Sequence, residues 1–536
     1  MRKTLLSAAA TISLTALVLS VPSVAQAKTA SPAAGTTIDW GTCASAGLQA
    51  RGAQCAKIPV PLDYKKPNGT KIKIAISRIK HTVPDSQYQG VMLVNPGGPG
   101  GSGLTLSVLG EYVPKDAGKA YDWIGFDPRG VGSSEPAVSC DPNYAGYNRP
   151  PYVPTTRSIE RAWFKKTNAY TKACDAKNGK ILDHLTTIES AKDMNSIRKA
   201  LGASKINYYG FSYGTYLGQV FATLYPDKLR RVVFDGTVDP RGVWYKANLD
   251  QDVAFDRNIN IWFGWLAKHD STYHLGATKA KVSKLFYATQ KKLYANPVQA
   301  SGGKLGGSEW TDAFLYAGYY QSTWLDLADT FSKFINDNDV DALEASYLDA
   351  SGYGDDNGYA VYLGVQCTDV SWPQSWRTWA RDNWAIHAIA PFETWSNAWY
   401  NEPCRHWPAK SHTPVKVTGK HVKSLLMINE TLDAATPFPG SLEVRKRFPA
   451  ASLIAVPGGT THSNSLNGNA CVDDAIADYL LTGAKPARKS GNRPDLNCAA
   501  LPQPEPEAAA KMQAQERSAA PAGITRLDLQ KESLVR

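Results

Sequence analysis

Several signatures are missing from this 536-residue chain, and each absence removes a class of function. No CxxC pair and no HExxH segment occurs, so neither a zinc cluster nor metal catalysis of that type has support. There is no basic stripe with interleaved aromatics, no zinc-finger pattern and no helix-turn-helix pattern. The formal net charge is +11 with lysines scattered along the chain, which reads as a solvated basic surface and not as a nucleic-acid interface. No short tandem repeat is present. Beyond the first twenty residues no apolar run is long enough to span a membrane. Histidine is sparse, with nine in all, so a histidine placed beside other reactive side chains carries information.

The N-terminus explains the one early apolar run. Arg2 and Lys3 precede an apolar stretch from Leu5 to about Leu19, and Ala25, Gln26, Ala27 follow Pro22. This order is that of a secretory signal peptide cut after Ala27, with 28–38 as a leader or short pro-segment. The expected location is extracellular, with no membrane anchor after cleavage. Export permits disulfides. Eight cysteines allow 105 pairings. Joining neighbours closes the shortest loops, so the expected bonds are Cys43–Cys55, Cys140–Cys174, Cys367–Cys404 and Cys471–Cys498.

The middle of the chain alternates strand and helix patterns. "GTKIKIAISRIKH" alternates as a strand, and "GVMLVNPGGPGGSG" is a buried-type strand running into a glycine-rich loop. "AYDWIGFDPRGVGSS" repeats that plan. "TTIESAKDMNSIRKALG" reads as a helix with Thr187 as candidate cap, "KINYYG" as the next strand, and "SYGTYLGQVFATLYP" as another helix. "RRVVFDG" closes the series. Such a rhythm implies a parallel sheet covered by helices over 39–240. Residues 241–415 carry long aromatic helical patterns and read as a mainly helical insertion that caps the sheet. The sheet resumes over 416–500, with Leu425 to Ile428 and Leu453 to Val456 as strands. Residues 501–536, "PQPEPEAAAKMQAQERSAAPAG" among them, read as a flexible tail.

The chemistry sits at the ends of these strands. Ser212 is the centre of "GFSYG", between a strand and a helix, where a sharp bend exposes a nucleophile. A serine hydroxyl needs a base and an acid to orient that base. Asp433, in "NETLDAATP", and His462, in "PGGTTHSNS", follow later strands in that order; Glu430 is the local rival for the acid. Negative charge on the carbonyl oxygen needs backbone donors, and the N–H groups of Gly98 and Tyr213 are the candidates. A phosphate-binding role for "NPGGPGGSG" is disfavoured because no Lys-Ser or Lys-Thr follows. Asp127 and Arg129 of "DPRG" are expected to brace a loop near the site.

The pieces "NPGGPGGSG", "YDWIGFDPRGVGSS", "GFSYGTYLG", "VVFDGTVDP", "ETLDAATP" and "PGGTTHS" together resemble secreted actinobacterial tripeptidyl aminopeptidases, relatives of proline iminopeptidase. The resemblance spans roughly residues 40 to 500. It implies the α/β-hydrolase fold, a mostly parallel sheet flanked by helices with a large mainly helical cap. It also implies Ser212 as nucleophile, Asp433 as acid and His462 as base, with no cofactor and no metal. Pro96 takes the place of the histidine that opens the iminopeptidase loop, which shifts weight toward the secreted branch acting on larger substrates. The substrates implied are peptides with free N-termini, cut by a monomer into tripeptides. A carboxylate in the cap would hold the α-amino group, with Asp369, Glu402 and Asp239 as candidates. An ester hydrolase, a single-residue proline-type aminopeptidase and a catalytically dead binding protein are the alternatives.

Overall fold

The computed structural model describes residues 38–506 and 528–529. The expected signal peptide and all but the last residue of the leader lie outside the described residues. Ten strands build one sheet: β1 (Gly41–Thr42), β2 (Gln54–Pro61), β3 (Lys71–Ile79), β4 (Val91–Asn95), β5 (Asp122–Phe126), β6 (Ile206–Phe211), β7 (Leu229–Asp235), β8 (Leu425–Glu430), β9 (Ala451–Val456) and β10 (Leu496–Asn497). Their order is β1-β2-β3-β5-β4-β6-β7-β8-β9-β10. The first three pair antiparallel with their neighbours; from β5 to β10 every pair is parallel.

The parallel strands are apolar on both faces because both faces are covered. In β4, Val91 and Leu93 enter one core cluster while Met92 and Val94 enter the other. In chain order, the helices that position the site are α1 (Thr187–Ala200), α2 (Tyr213–Leu224), α3 (Tyr245–Lys268), α4 (Asn357–Asp369), α5 (Thr394–Asn401), α6 (Pro439–Arg447) and α7 (Ala470–Thr482). Met194 of α1, Leu217 of α2 and Val444 of α6 pack on one sheet face; Val472 and Ile476 of α7 pack on the other. The cap of α1 is Thr186, one residue before the expected Thr187: its hydroxyl accepts the Glu189 N–H at 3.1 Å.

The chain leaves β4 in one direction to form β5 and returns across it to form β6 on the other side. A crevice opens where strand order reverses in this way, at the carboxyl ends of the strands. Here those ends carry the glycine-rich loop after β4 and Ser212 after β6.

Between β7 and β8 lies the cap, helical apart from a two-stranded hairpin, Val298–Gln299 with Lys304–Leu305, among the described residues. Its own core contains Trp262, Phe263, Trp310, Phe314 and Phe331. Residues 141–156, expected within the core sheet layer, pack on this cap instead. The Arg149 side chain is largely enclosed there and donates to Glu309 at 2.9 Å and Asp312 at 2.7 Å, because a guanidinium drawn out of water requires charged partners.

Contacts are made by described residues of the segment expected as a flexible tail. The Trp265 indole donates to the Pro504 carbonyl at 2.9 Å, and Leu529 is buried in the cluster that holds Cys498. Disulfides join Cys43 to Cys55, Cys140 to Cys174, Cys367 to Cys404 and Cys471 to Cys498. Among the described residues no helix is long and apolar enough to cross a membrane.

Candidate active site

Ser212 sits between β6 and α2 with φ of 52° and ψ of −127°, a conformation that costs energy in any residue with a side chain. Its N–H donates to the Asp235 carbonyl at 3.0 Å. The bend is threaded against the end of β4: a Cβ on Gly214 would lie 2.6 Å from the Asn95 carbonyl oxygen. The glycine-rich loop approaches from the same side. A Cβ on Gly97, whose φ is +108°, would lie 2.7 Å from the Phe211 carbonyl oxygen and 2.9 Å from the Tyr213 nitrogen. Only glycine allows that approach. Gly98, Ser212 and Tyr213 all line one cavity.

Asp127 holds that loop from behind. It is buried and accepts the Ser102 hydroxyl at 2.7 Å and the N–H groups of Gly103 at 2.9 Å and Ser133 at 2.8 Å. Arg129 is buried and paired with Asp193, its Nε 2.7 Å from the carboxylate. Both residues act on the scaffold, and neither lines the cavity among the described residues.

His462 lies in the loop after β9. Its Nδ1 is 2.8 Å from one carboxylate oxygen of Asp433 and 3.0 Å from the other, and both side chains are buried. Asp433 also accepts the Thr436 N–H at 3.0 Å and its hydroxyl at 2.7 Å. An acceptor pair on Nδ1 puts the imidazole proton there and leaves Nε2 to act as base. Nε2 lies 3.3 Å from the Ser463 hydroxyl, which also lies 3.4 Å from the Asp235 carbonyl. That carbonyl, bonded by Ser212 on one side and Ser463 on the other, is the joint between the elbow and the histidine loop. The cap holds the same loop: the His462 N–H donates to the Tyr319 carbonyl at 2.8 Å.

Glu430, the rival acid, faces elsewhere. It accepts the Thr461 N–H at 2.5 Å and the Asn464 amide at 2.7 Å, gripping the histidine loop on both sides of His462. Burial pushes its carboxyl up to about 8.

The cavity beside Ser212 has a volume of about 640 Å³. Its floor is the sheet edge and its roof is the cap, with Phe255, Tyr319, Tyr362 and Tyr400 among the roof residues. The three acids expected to hold an amino group separate here. Asp239 lines the cavity, but Arg241 clasps its carboxylate, with Nη2 at 2.6 Å. Asp369 and Glu402 are not among the described residues that line it. Asp369 is held behind the wall by Thr187, whose N–H donates at 2.8 Å and hydroxyl at 2.5 Å, and burial pushes its carboxyl up to about 6. Glu402 is buried against Arg405 at 2.7 Å. The disulfide from Cys367 to Cys404 braces both acids, as their positions beside cysteines suggested, but it braces them away from the cavity.

Besides Asp239, two more acids line the cavity: Asp250, which is exposed and paired with Lys246, and Glu393, which is only 2 % exposed. Asn397, one helical turn later, lines it too and donates to the buried Asp252 at 2.8 Å. Asn248 and Gln366 extend this polar end. The signal was available as i, i+4 polar pairs, Glu393 at the N-cap of α5 with Asn397 on it, and Asn248 with Asp252 on α3, in otherwise aromatic segments.

Comparison with known proteins agrees with this geometry at the level of fold. A family profile described as "alpha/beta hydrolase fold" matches residues 90–343, and one described as "TAP-like protein" matches residues 390–498. The tripeptidyl aminopeptidase of Streptomyces coelicolor is 41% identical over 488 residues, covering 89% of this chain and 88% of that protein. Serine protease Hip1 of Mycobacterium tuberculosis is 29% identical over 86% of this chain and 92% of its own length. Carboxylesterase B of the same organism is 29% identical over 81% and 85%. The chain belongs to the tripeptidyl aminopeptidase-like family of α/β-hydrolases.

Proposed function

We propose that this protein is a secreted serine exopeptidase that releases tripeptides from free N-termini through an acyl-enzyme on Ser212. The observation that carries this reading is the cavity, which joins Ser212 to a polar end holding the buried Glu393 beneath a helical roof. A buried carboxylate there matches an α-ammonium group, and the roof limits entry to the end of a chain. Glu393, with Asn397 beside it, takes the role that Asp369, Glu402 and Asp239 were expected to share.

In the reaction, His462 Nε2 takes the Ser212 proton as the oxygen attacks the scissile carbonyl. The N–H groups of Gly98 and Tyr213 receive the oxyanion. Protonated His462 gives its proton to the leaving amine, and water then attacks the ester with His462 again as base. Asp433 holds the imidazole tautomer throughout. No step needs a metal or a cofactor. The N-terminal export pattern and four disulfides support an extracellular location.

Ester hydrolysis is the second reading, favoured by the carboxylesterase relative, since the same machinery cleaves esters. Hydrolysis of trialanyl p-nitroanilide and of p-nitrophenyl butyrate by wild type and S212A tests both. The expected result is anilide turnover that falls to under about one per cent in folded S212A, with a serine-directed phosphonate labelling Ser212 alone. Ester turnover without any amide turnover would hand the protein to the esterase reading. Failure on both substrates and of labelling would leave only the dead-protein reading.

A further inference from the structure

Asp369 has no place in the cavity, yet its surroundings are built with care. It is the last residue of α4, where a negative charge is unfavourable to its own helix dipole, and it abuts the first residue of α1, where a negative charge is favourable. Its Oδ1 accepts the Thr187 N–H at 2.8 Å. Its Oδ2 accepts the Thr187 hydroxyl at 2.5 Å and lies 3.4 Å from the Trp244 indole nitrogen. Among the described residues no lysine or arginine pairs with it, so the charge is stabilised by these dipoles alone.

The direction of the chain of bonds follows from counting protons. Thr187 has one hydroxyl proton and gives it to the carboxylate. Its oxygen can then only accept, and the phenol 2.8 Å away is that of Tyr213. The order is therefore Tyr213 to Thr187 to Asp369. Tyr213 directly follows Ser212 and opens α2, and its ring is buried. The second arm ends on Trp244, whose ring lies 5.8 Å from that of Tyr213 and which lines the same cavity. One carboxylate thus sets two neighbouring walls. The disulfide from Cys367, two residues earlier, anchors the end of α4 that carries it.

We infer that Asp369 is a positioning residue for the oxyanion site: through Thr187 it fixes the Tyr213 side chain, and with it the orientation of the Tyr213 N–H toward the tetrahedral intermediate. This rests on Ser212 being the nucleophile. It assigns to the acid a role on the transition state and none on the amino group. A misaligned donor weakens charge stabilisation in the transition state while leaving ground-state binding intact.

The test uses the full mature chain with Y213F, T187V, T187S, D369N and S212A. Readouts are kcat and KM on trialanyl p-nitroanilide and p-nitrophenyl butyrate, the Ki of a trialanyl boronate that forms a tetrahedral adduct, and the melting temperature. Y213F, T187V and D369N should each lower kcat about 10- to 100-fold with KM within about twofold, and weaken the boronate in parallel. T187S, which keeps the hydroxyl, should recover most of what T187V loses. Folded variants with unchanged kcat, or with changes in KM alone, would overturn the inference and leave Asp369 a helix cap. If D369N does not fold, the T187V and T187S pair with Y213F decides the question. S212A separates the two levels: turnover surviving in S212A refutes the nucleophile, whatever the Asp369 series shows.

Discussion

Replacing Glu430 with Gln should stabilise the protein at alkaline pH and leave it nearly unchanged at acid pH. Glu430 is buried between the Thr461 N–H and the Asn464 amide, and burial raises its carboxyl from the ordinary 4.5 to about 8. The sign follows from linkage. A carboxyl whose native value lies above its unfolded value binds its proton more tightly when folded. The stability this confers is complete below about 4.5 and drains away as pH rises toward about 8, the native value. At about 1.4 kcal/mol per tenfold change in proton affinity, the full span is worth about 5 kcal/mol. Relaxation of the histidine loop lowers the realised figure, and about 2–3 kcal/mol between pH 5 and pH 9 is expected. Gln reproduces the protonated form: its carbonyl accepts from Thr461 and its amide donates to a turned Asn464. Urea unfolding at half-unit intervals from pH 4 to pH 9 would measure it. Wild type should lose stability across that window relative to E430Q, so that the curves diverge upward in pH. Parallel curves, or an E430Q protein that is less stable at every pH, would refute the reasoning.

Two further perturbations test other parts of the molecule. Glu393→Gln should reduce kcat/KM on a free-amine tripeptide anilide by roughly 30- to 1,000-fold, about 2–4 kcal/mol, while p-nitrophenyl butyrate turnover stays within about threefold; equal losses on both would remove Glu393 from amino-group recognition. Replacing Cys367 and Cys404 together by Ala opens a loop of 37 residues and should cost about 4 kcal/mol in denaturant unfolding; a loss under about 1 kcal/mol would show that the α4 terminus is held by packing alone.

The sheet was legible because its parallel strands are uninterrupted apolar runs. "VMLV", "LLMI" and "LIAV" are each bounded by a turn of glycine, proline or acid, and burial on both faces forces that composition. The bend at Ser212 and the contact of Asp433 with His462 could be anticipated for a similar reason. Reactive residues at strand ends are separated by whole elements, and order along the chain maps directly onto neighbouring loops. The amino-group candidates were not legible on those terms. Asp369 and Glu402 drew attention because cysteines flank them, but a disulfide reports that two segments meet and not which way their side chains face. Glu393 sits in "FETWSNAWYN", where Trp395, Trp399 and Tyr400 dominate the pattern and hide the polar stripe that faces the cavity. Arg149 was equally hidden, since its partners Glu309 and Asp312 lie some 160 residues away along the chain.

The most direct test of tripeptide release is mass spectrometry of the products from one long unstructured peptide, offered once with a free N-terminus and once acetylated. Release should occur only from the free form, as successive losses of three residues, and S212A should leave both peptides whole. Single-residue losses would contradict tripeptide release and point to a proline-type aminopeptidase. Equal cleavage of the acetylated peptide would contradict recognition of the amino group, and with it the role given to Glu393.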